Sequence, residues 1–399
     1  MHLCVTATSF TCHTAAMLQT LTHAAEHRLH QIDLARQAVL FDGQPLVGSA
    51  AQAWIARSWQ RCLASGQRPD QAVSFELIPT QALKRVQEAN HTLLNAARPA
   101  LVKLGRAIAE TRYFAILTNS QGVVVDVNGP VDRSDPRAEA IARVGVDLSE
   151  RSVGTTAIGA ALTEHHPVWL HRGEHFFAAN SAYSCAGAPL FGPDGDCVGM
   201  LDLTGIDAVE RPELKHLVAQ SARSIENALT MDRQHSLMVR LNWPGRALGD
   251  ETDGLVCLDA DGWVMGANQT ARQMVAELNP GNATQNAPLH CSDLFAMPFE
   301  MLFDAAGRDA WGQPAPIDVP LWSGLRLQAV SLHRNQSAKG AAKPGSPSHD
   351  HRSLRDVETE LIHKAVMQAK GNVMQAAREL GISRATVYRK LGSKKPESL

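Results

Sequence analysis

Two groups of residues in this 399-residue chain have types and spacing that suit chemistry. The first is His171-Arg172-Gly173-Glu174-His175, an H-x-x-E-H pattern. On a helix, that spacing sets two imidazoles one turn apart with a carboxylate beside them, the arrangement of a zinc hydrolase. Here Val168-Trp169-Leu170 before it is strand-like and Gly173 interrupts any helix, so a structural or ligand-pocket cluster is the better reading. The second group is basic and lies near the end: Ser383, Arg384, Thr386, Tyr388, Arg389, Lys390, Lys394 and Lys395. Guanidinium pairs bidentately with guanine, and ammonium meets phosphate, so this set suits duplex recognition. Two weaker patterns follow. Gly154-Thr155-Thr156-Ala157-Ile158-Gly159 has the glycines of a phosphate cradle but no lysine, so close helix packing is expected of it. Cys185 and Cys197 fall on neighbouring expected strands, where buried free thiols are commoner than a redox pair.

The elements that must position the basic set are short helices. Leu354, Val357, Leu361, Ile362, Ala365 and Val366 recur at helical spacing, and Lys370-Gly371 ends that helix with a cation and a residue tolerant of positive φ. Asn372 caps a second helix with Val373, Ala376, Ala377 and Leu380 inward. Gly381 turns the chain, and Ser383 caps a third helix with Val387 and Leu391 inward. A glycine turn of this length between helices is a helix-turn-helix signature, and the final helix would enter the major groove with Arg384 as the base contact. From Arg352 onward ten Lys or Arg stand against five Asp or Glu, while the whole chain carries −2. A basic end on an acidic body points to a nucleic-acid partner for that end.

The rest reads as a multidomain α+β body. Residues 1–105 are expected to be mostly helical, with Trp54, Ile55, Trp59, Cys62 and Leu63 as a core stripe. Residues 106–230 alternate strands and helices: Tyr113–Thr118, Val123–Val127, Pro167–His171, Ala188–Phe191 and Cys197–Leu203 read as strands. A helix is expected from Pro212 to Asn242, its end forming a connector over 231–248. A second α/β unit spans 249–334, opening strand, Asp-Gly turn, strand, helix, with Trp322–Leu332 a further strand. The Pro/Gly/Ser-rich stretch 335–352 reads as a flexible linker before the all-α end, 353–399. Scattered cysteines without a C-x-x-C pair suit reduced thiols in a cytoplasm. No apolar run suits a membrane span, and the first residues do not read as a signal peptide, with Met17 a second candidate start.

The segment from Gly371 to Leu391 resembles the Fis-type helix-turn-helix at the C-terminus of many bacterial enhancer-binding regulators. Three body segments resemble the sensory part of acetoin-catabolism-type (AcoR-like) regulators: Arg57–Pro69, Asp147–Phe176 and Cys185–Gly205, the last two looking like a GAF domain. Leu258–Asn268 looks PAS-like. The resemblance implies a homodimer on an inverted-repeat operator, a small-molecule effector (an alcohol, aldehyde, ketone or diol) and possible contact with RNA polymerase. Those regulators also carry a central ATPase that remodels sigma-54 polymerase. This sequence has neither its G-x-x-x-x-G-K-[ST] phosphate loop nor its GAFTGA loop, so no ATPase activity is expected.

The reading is a DNA-binding transcriptional regulator with no catalytic residue, metal or cofactor. Tyr113, Phe114, Thr155, Thr156, Glu174, His175 and Tyr183 are the expected effector-pocket residues. Two rivals are carried beside it: a metal-dependent hydrolase built on His171–His175, and a non-DNA-binding heterodimerisation module.

Overall fold

The computed structural model describes residues 26–44, 50–279, 288–306, 316–333 and 373–379. It divides into two units, 1–334 and 335–399.

Unit 1 opens with helices: α1 over 26–36, α2 (Ala50–Ala64), α3 (Thr80–Ala89) and α4 (His91–Ala107). β1 (Tyr113–Asn119) and β2 (Val124–Asn128) follow, joined by a turn that Asn119 organises by accepting from the backbone N–H of Gln121 and Val123. Gly122 sits in that turn at φ +84°, a conformation that suits glycine. Next come α5 (Pro136–Ile141), α6 (Glu150–Val153), α7 (Ala157–Glu164), β3 (Val168–His171), β4 (Tyr183–Phe191) and β5 (Cys197–Ile206). The strands form one antiparallel sheet, ordered β2-β1-β5-β4-β3. α8 (Leu214–Asp232) then crosses its back.

Every residue of β1 and β4 is buried, so both faces of this sheet are covered. Side chains alternate along a strand. Phe114, Ile116, Cys185 and Met200 therefore pack on one face with Trp54, Ile55, Trp59 and Cys62 of α2. Tyr113, Ala115, Leu117, Leu201 and Leu203 pack on the other, with Leu93, Ala97, Leu101 and Leu104 of α4 and Val218, Ala222 and Ile225 of α8. The N-terminal helices thus contribute to both outer layers of the first sheet. The expected boundary near residue 105 does not divide the core.

The expected helix to Asn242 is corrected. α8 stops at Asp232, and Leu237–Asn242 is a strand, β6. The rest of the second sheet is β7 (Gly254–Leu258), β8 (Val264–Ala267), β9 (Ile317–Pro320) and β10 (Arg326–His333), with α9 (Gln269–Met274), α10 (Cys291–Leu294) and α11 (Glu300–Asp304) after β8. Its order is β8-β7-β6-β10-β9, which makes β6 the central strand. The period-two set Leu237, Val239 and Leu241 faces the core of this layer, so beyond Asp232 the stretch to 248 holds a core strand and no helix.

The two sheets are joined through hydrogen bonds. The β4–β5 turn presents the Pro193 carbonyl to Ala267 N–H at 2.8 Å and to the Arg272 guanidinium at 2.7 Å. Asn268, the N-cap of α9, accepts from Ala271 N–H at 2.8 Å and donates to Asn227 of α8 at 2.7 Å and to the Asp253 carbonyl at 2.9 Å. It also accepts from Leu255 N–H at 2.9 Å, and it is 1 % exposed. Asn268→Ala strands these buried groups together; we expect a loss of more than about 2 kcal/mol in unfolding free energy by urea titration.

In unit 2 the structure describes α12 (Val373–Glu379). Ala377 is buried and Val373 half-buried, while Met374 and Gln375 are exposed, as the expected inner face requires. The expected linker and the recognition set Ser383, Arg384, Thr386, Tyr388, Arg389, Lys390, Lys394 and Lys395 lie outside the described residues.

Candidate functional site

A small cavity of about 30 Å³ lies beneath the α2 face of the first sheet. Ile116, Ile141, Leu148 and Ile158 line it together with Thr156, His175, Tyr183, Cys185, Asp202 and Thr204, and its surface is almost wholly apolar. Phe75, in the irregular segment before α3, stands edge-on to Tyr183 with centroids 6.3 Å apart.

Of the expected pocket residues, Thr156, His175 and Tyr183 line this cavity. The other four serve elsewhere. Tyr113 neighbours Phe114 on β1 and so points to the opposite face, where its hydroxyl donates to the Val209 carbonyl at 2.9 Å. Phe114 is in the α2-side core without reaching the cavity, and lines a separate surface recess with Arg112 and Asp135. Thr155 is fully buried against α2, with its hydroxyl 2.7 Å from Ser58 Oγ, which in turn donates to Glu150 at 2.6 Å. Arg61 adds a two-pronged contact to the same Glu150 carboxylate, at 2.7 and 2.9 Å. This network ties α2 to the start of α6.

Glu174 is also structural. Its carboxylate accepts from His171 N–H at 2.6 Å and pairs with Arg28 of α1 at 3.0 Å. Burial pushes its carboxyl up to about 7, against the opposing pull of Arg28. His171 Nδ1 meets Ser184 Oγ at 2.8 Å, and Trp59 donates to the Glu174 carbonyl at 2.9 Å. Arg36 of α1 donates to the carbonyls of Gly173, His175 and Phe176. The H-x-x-E-H stretch is a strand end followed by a single 3₁₀ turn over Arg172–Glu174. Glu174 ties the turn to Arg28 of α1, His171 meets Ser184 of β4 and His175 Nδ1 meets the Arg172 carbonyl, and among the described residues no group of three His, Cys, Asp or Glu converges. This is not zincin geometry, which needs a helix to align both imidazoles.

The glycines of 154–159 pack as expected of small residues, but against a different surface. Gly154, at φ +69°, faces the Phe177 ring, and a Cβ on Gly159 would lie 2.9 Å from Glu150 N. The close approach is to α6 and the Phe176–Phe177 pair rather than to the sheet. Cys185 pairs with Thr204, and Cys197 with Phe191, in the β4–β5 register. Six residues of strand therefore separate the two thiols along the ladder, roughly 20 Å, which excludes a disulfide between them.

Sequence reasoning missed Asp202, the most telling cavity residue. It is completely buried, facing the cavity from the middle of β5 between Leu201 and Leu203. Thr204 donates to its Oδ2, while Oδ1 has no protein partner. Burial pushes the carboxyl up to about 7. His175 is 1 % exposed, and burial pushes its imidazole down to about 4, so the ring is neutral near pH 7. Its Nδ1 lies 2.9 Å from the Arg172 carbonyl. A carbonyl only accepts, so Nδ1 holds the proton and Nε2 presents a lone pair. Nε2 has no partner in the protein. A carboxyl within MLDLTG, where the alternation calls for a core residue, was the signal that marked this site.

The structure thus defines a mixed α/β body with a small pocket, followed by a separate unit in which a short helix buries Ala377. Residues 31–227 match the family described as MimR, N-terminal domain, and residues 353–392 match the bacterial regulatory protein, Fis family. The body is thus similar to the MimR N-terminal domain and the C-terminal end to the Fis family of bacterial regulatory proteins.

Its relatives carry matching descriptions. The acetoin catabolism regulatory protein of Cupriavidus necator is 29% identical over 266 residues, covering 65% of this chain and 39% of that protein. The acetoin dehydrogenase operon transcriptional activator of Bacillus subtilis is 31% identical, over 44% of this chain and 29% of its own. The propane 2-monooxygenase operon transcriptional activator MimR of Mycolicibacterium smegmatis is 28% identical, over 50% and 33%. The chain therefore spans well under half the length of these relatives. Among solved structures, the E. coli DhaR(N)–DhaL complex aligns with a TM-score of 0.42 at 14% identity, over 71% of this chain and 99% of that one.

Proposed function

We propose that this chain is a one-component transcriptional regulator: a small molecule is sensed in the body, and the Fis-type end binds duplex DNA. The observation that carries it is the Fis-family match over 353–392, on the same chain as a MimR N-terminal domain. The first sheet with its cavity is the GAF-like sensor, and the second sheet with α9 to α11 is the PAS-like unit. Arg384 reads a base edge. Arg389, Lys390, Lys394 and Lys395 meet phosphate, with Ser383, Thr386 and Tyr388 beside them. A homodimer places two such helices on an inverted repeat about one helical turn apart. The setting is cytoplasmic; among the described residues no helix is long and apolar enough to cross a membrane.

Signal transfer has a physical route. β4 and β5 carry Cys185 and Asp202 in the cavity, and the turn that joins these strands is hydrogen-bonded to Ala267 and Arg272 of the second layer. A ligand with different affinity for two settings of this joint shifts their populations. The reading involves no ATP hydrolysis, because the sequence lacks a phosphate loop. Regulation then proceeds by recruiting polymerase, blocking it or competing for enhancer sites.

Footprinting of the purified chain on the DNA upstream of its own gene tests this. Two protected half-sites, lost at high salt, are expected; uniform cleavage at every protein concentration overturns the proposal.

A further inference from the structure

We propose that the cleft between the end of β4, α8 and α9 binds a free α-amino acid with a short aliphatic side chain, its ammonium against Glu226 and its carboxylate against Arg223. The cleft is separate from the small cavity beneath the first sheet, and binding there requires nothing of the DNA-binding end. Its volume is about 210 Å³. At about 30 Å³ of liquid per water, that is room for a molecule of roughly seven to nine heavy atoms.

Glu226 gives the cleft its chemistry. It lies on the inner side of α8 and is 5 % exposed. Its Oε1 accepts from the Phe191 N–H at 2.9 Å. Oε2 has no protein partner among the described residues and is not sealed off, so it opens to the cleft. Burial pushes the carboxyl up to about 7, against the opposing pull of the Phe191 N–H and of Arg223. A carboxylate this deep needs a donor in contact with it, and an ammonium brings three.

Arg223 stands three residues earlier, one helical turn away on the same face of α8, at the exposed mouth of the cleft. It forms no ion pair among the described residues, with Glu226 or any other group. Two opposite charges therefore border one space without touching, the acid deep and the guanidinium shallow. A ligand with both signs satisfies each; a simple anion leaves Glu226 without a donor, and a simple amine leaves Arg223 without an acceptor. Gln269, Thr270 and Gln273 of α9 form the other wall, with amides and a hydroxyl that serve either sign. Ala188, Pro189, Ala219, Ala222 and the Phe191 ring leave an apolar bay for the stem.

Calorimetric titration of the intact chain with L-valine, 3-methylbutanoate and 2-methylpropylamine tests this, because the last two are valine without its ammonium and without its carboxylate. Valine should bind at least about tenfold more tightly than either. Glu226→Gln keeps an acceptor for the Phe191 N–H; it should lower valine to the affinity of 3-methylbutanoate without weakening that anion. Arg223→Gln should lower valine to the affinity of the amine without weakening the amine. Circular dichroism checks that both variants fold, and the three-probe comparison on the parent decides the matter if either does not. No valine binding to the parent, valine no tighter than 3-methylbutanoate or the amine, or valine affinity untouched by both substitutions in folded protein overturns the proposal.

Discussion

If Arg384 reads a base edge as proposed, Arg384→Ala should weaken binding to the operator by roughly 5- to 150-fold per half-site, the equivalent of about 1–3 kcal/mol, and relax base preference at the position it contacts. The argument is chemical. Guanidinium offers two parallel N–H donors that match guanine O6 and N7, and alanine offers none. The neighbouring cations behave differently. Lys394→Ala or Lys395→Ala lowers affinity almost equally on specific and scrambled DNA and reduces the salt slope by about 1 each. Competition binding on both duplexes separates the two outcomes. If Arg384→Ala behaves like a lysine variant, Arg384 touches phosphate only. If regulation persists unchanged in cells, the heterodimerisation reading takes over.

The second large effect is pH-dependent stability set by Asp202. Its folded carboxyl titrates at about 7, above the ordinary 3.8, because burial disfavours the charge. A raised carboxyl pKa means the native state holds its proton more tightly than the unfolded chain. The relative stability this gives is complete below about pH 4 and is lost as pH rises through about 7. Asp202→Asn cannot ionise and keeps an acceptor for the Thr204 hydroxyl. Its stability advantage over the parent should therefore grow from pH 4 to pH 7 and level off above, reaching on the order of 4 kcal/mol by linkage. Urea unfolding of both proteins at pH 5, 6, 7 and 8 reads this directly. His175 works in the opposite direction: its folded pKa of about 4 lies below the ordinary 6.5, so the stability of its neutral form is lost as pH falls through about 4. The comparison of Asp202→Asn with its parent cancels that contribution. A pH-independent difference would show that Asp202 is not buried as a protonated acid.

Strand pattern and turn chemistry made much of the first sheet legible. The five expected strand segments fall on β1 to β5, although β4 begins at Tyr183, five residues before the expected Ala188. Two physical confusions account for what was missed. Leu237, Met238, Val239 and Leu241 directly follow an amphipathic helix, and the apolar residues blended into its stripe. Their period of two, which makes β6 the centre of the second sheet, was hidden by that neighbour. The pocket suffered from adjacency. Tyr113 and Phe114 are neighbours on a strand and Thr155 and Thr156 are neighbours at a cap, so neither pair could share one cavity wall. Polar groups in a pattern that demands apolar ones were the better guide, as Asp202 shows. The H-x-x-E-H spacing misled because spacing carries chemistry only on the element it presumes. Here Glu174 caps a 3₁₀ turn and holds α1 through Arg28.

Fluorescence anisotropy of the intact chain, titrated against the protected upstream fragment and against a scrambled duplex of equal length, at 50 and 200 mM salt, tests the central claim most directly. The account predicts preference for the protected fragment at both salts, and an affinity that falls steeply between them as counterion release requires. Equal affinity for the two duplexes, or no measurable binding at the lower salt, would contradict it.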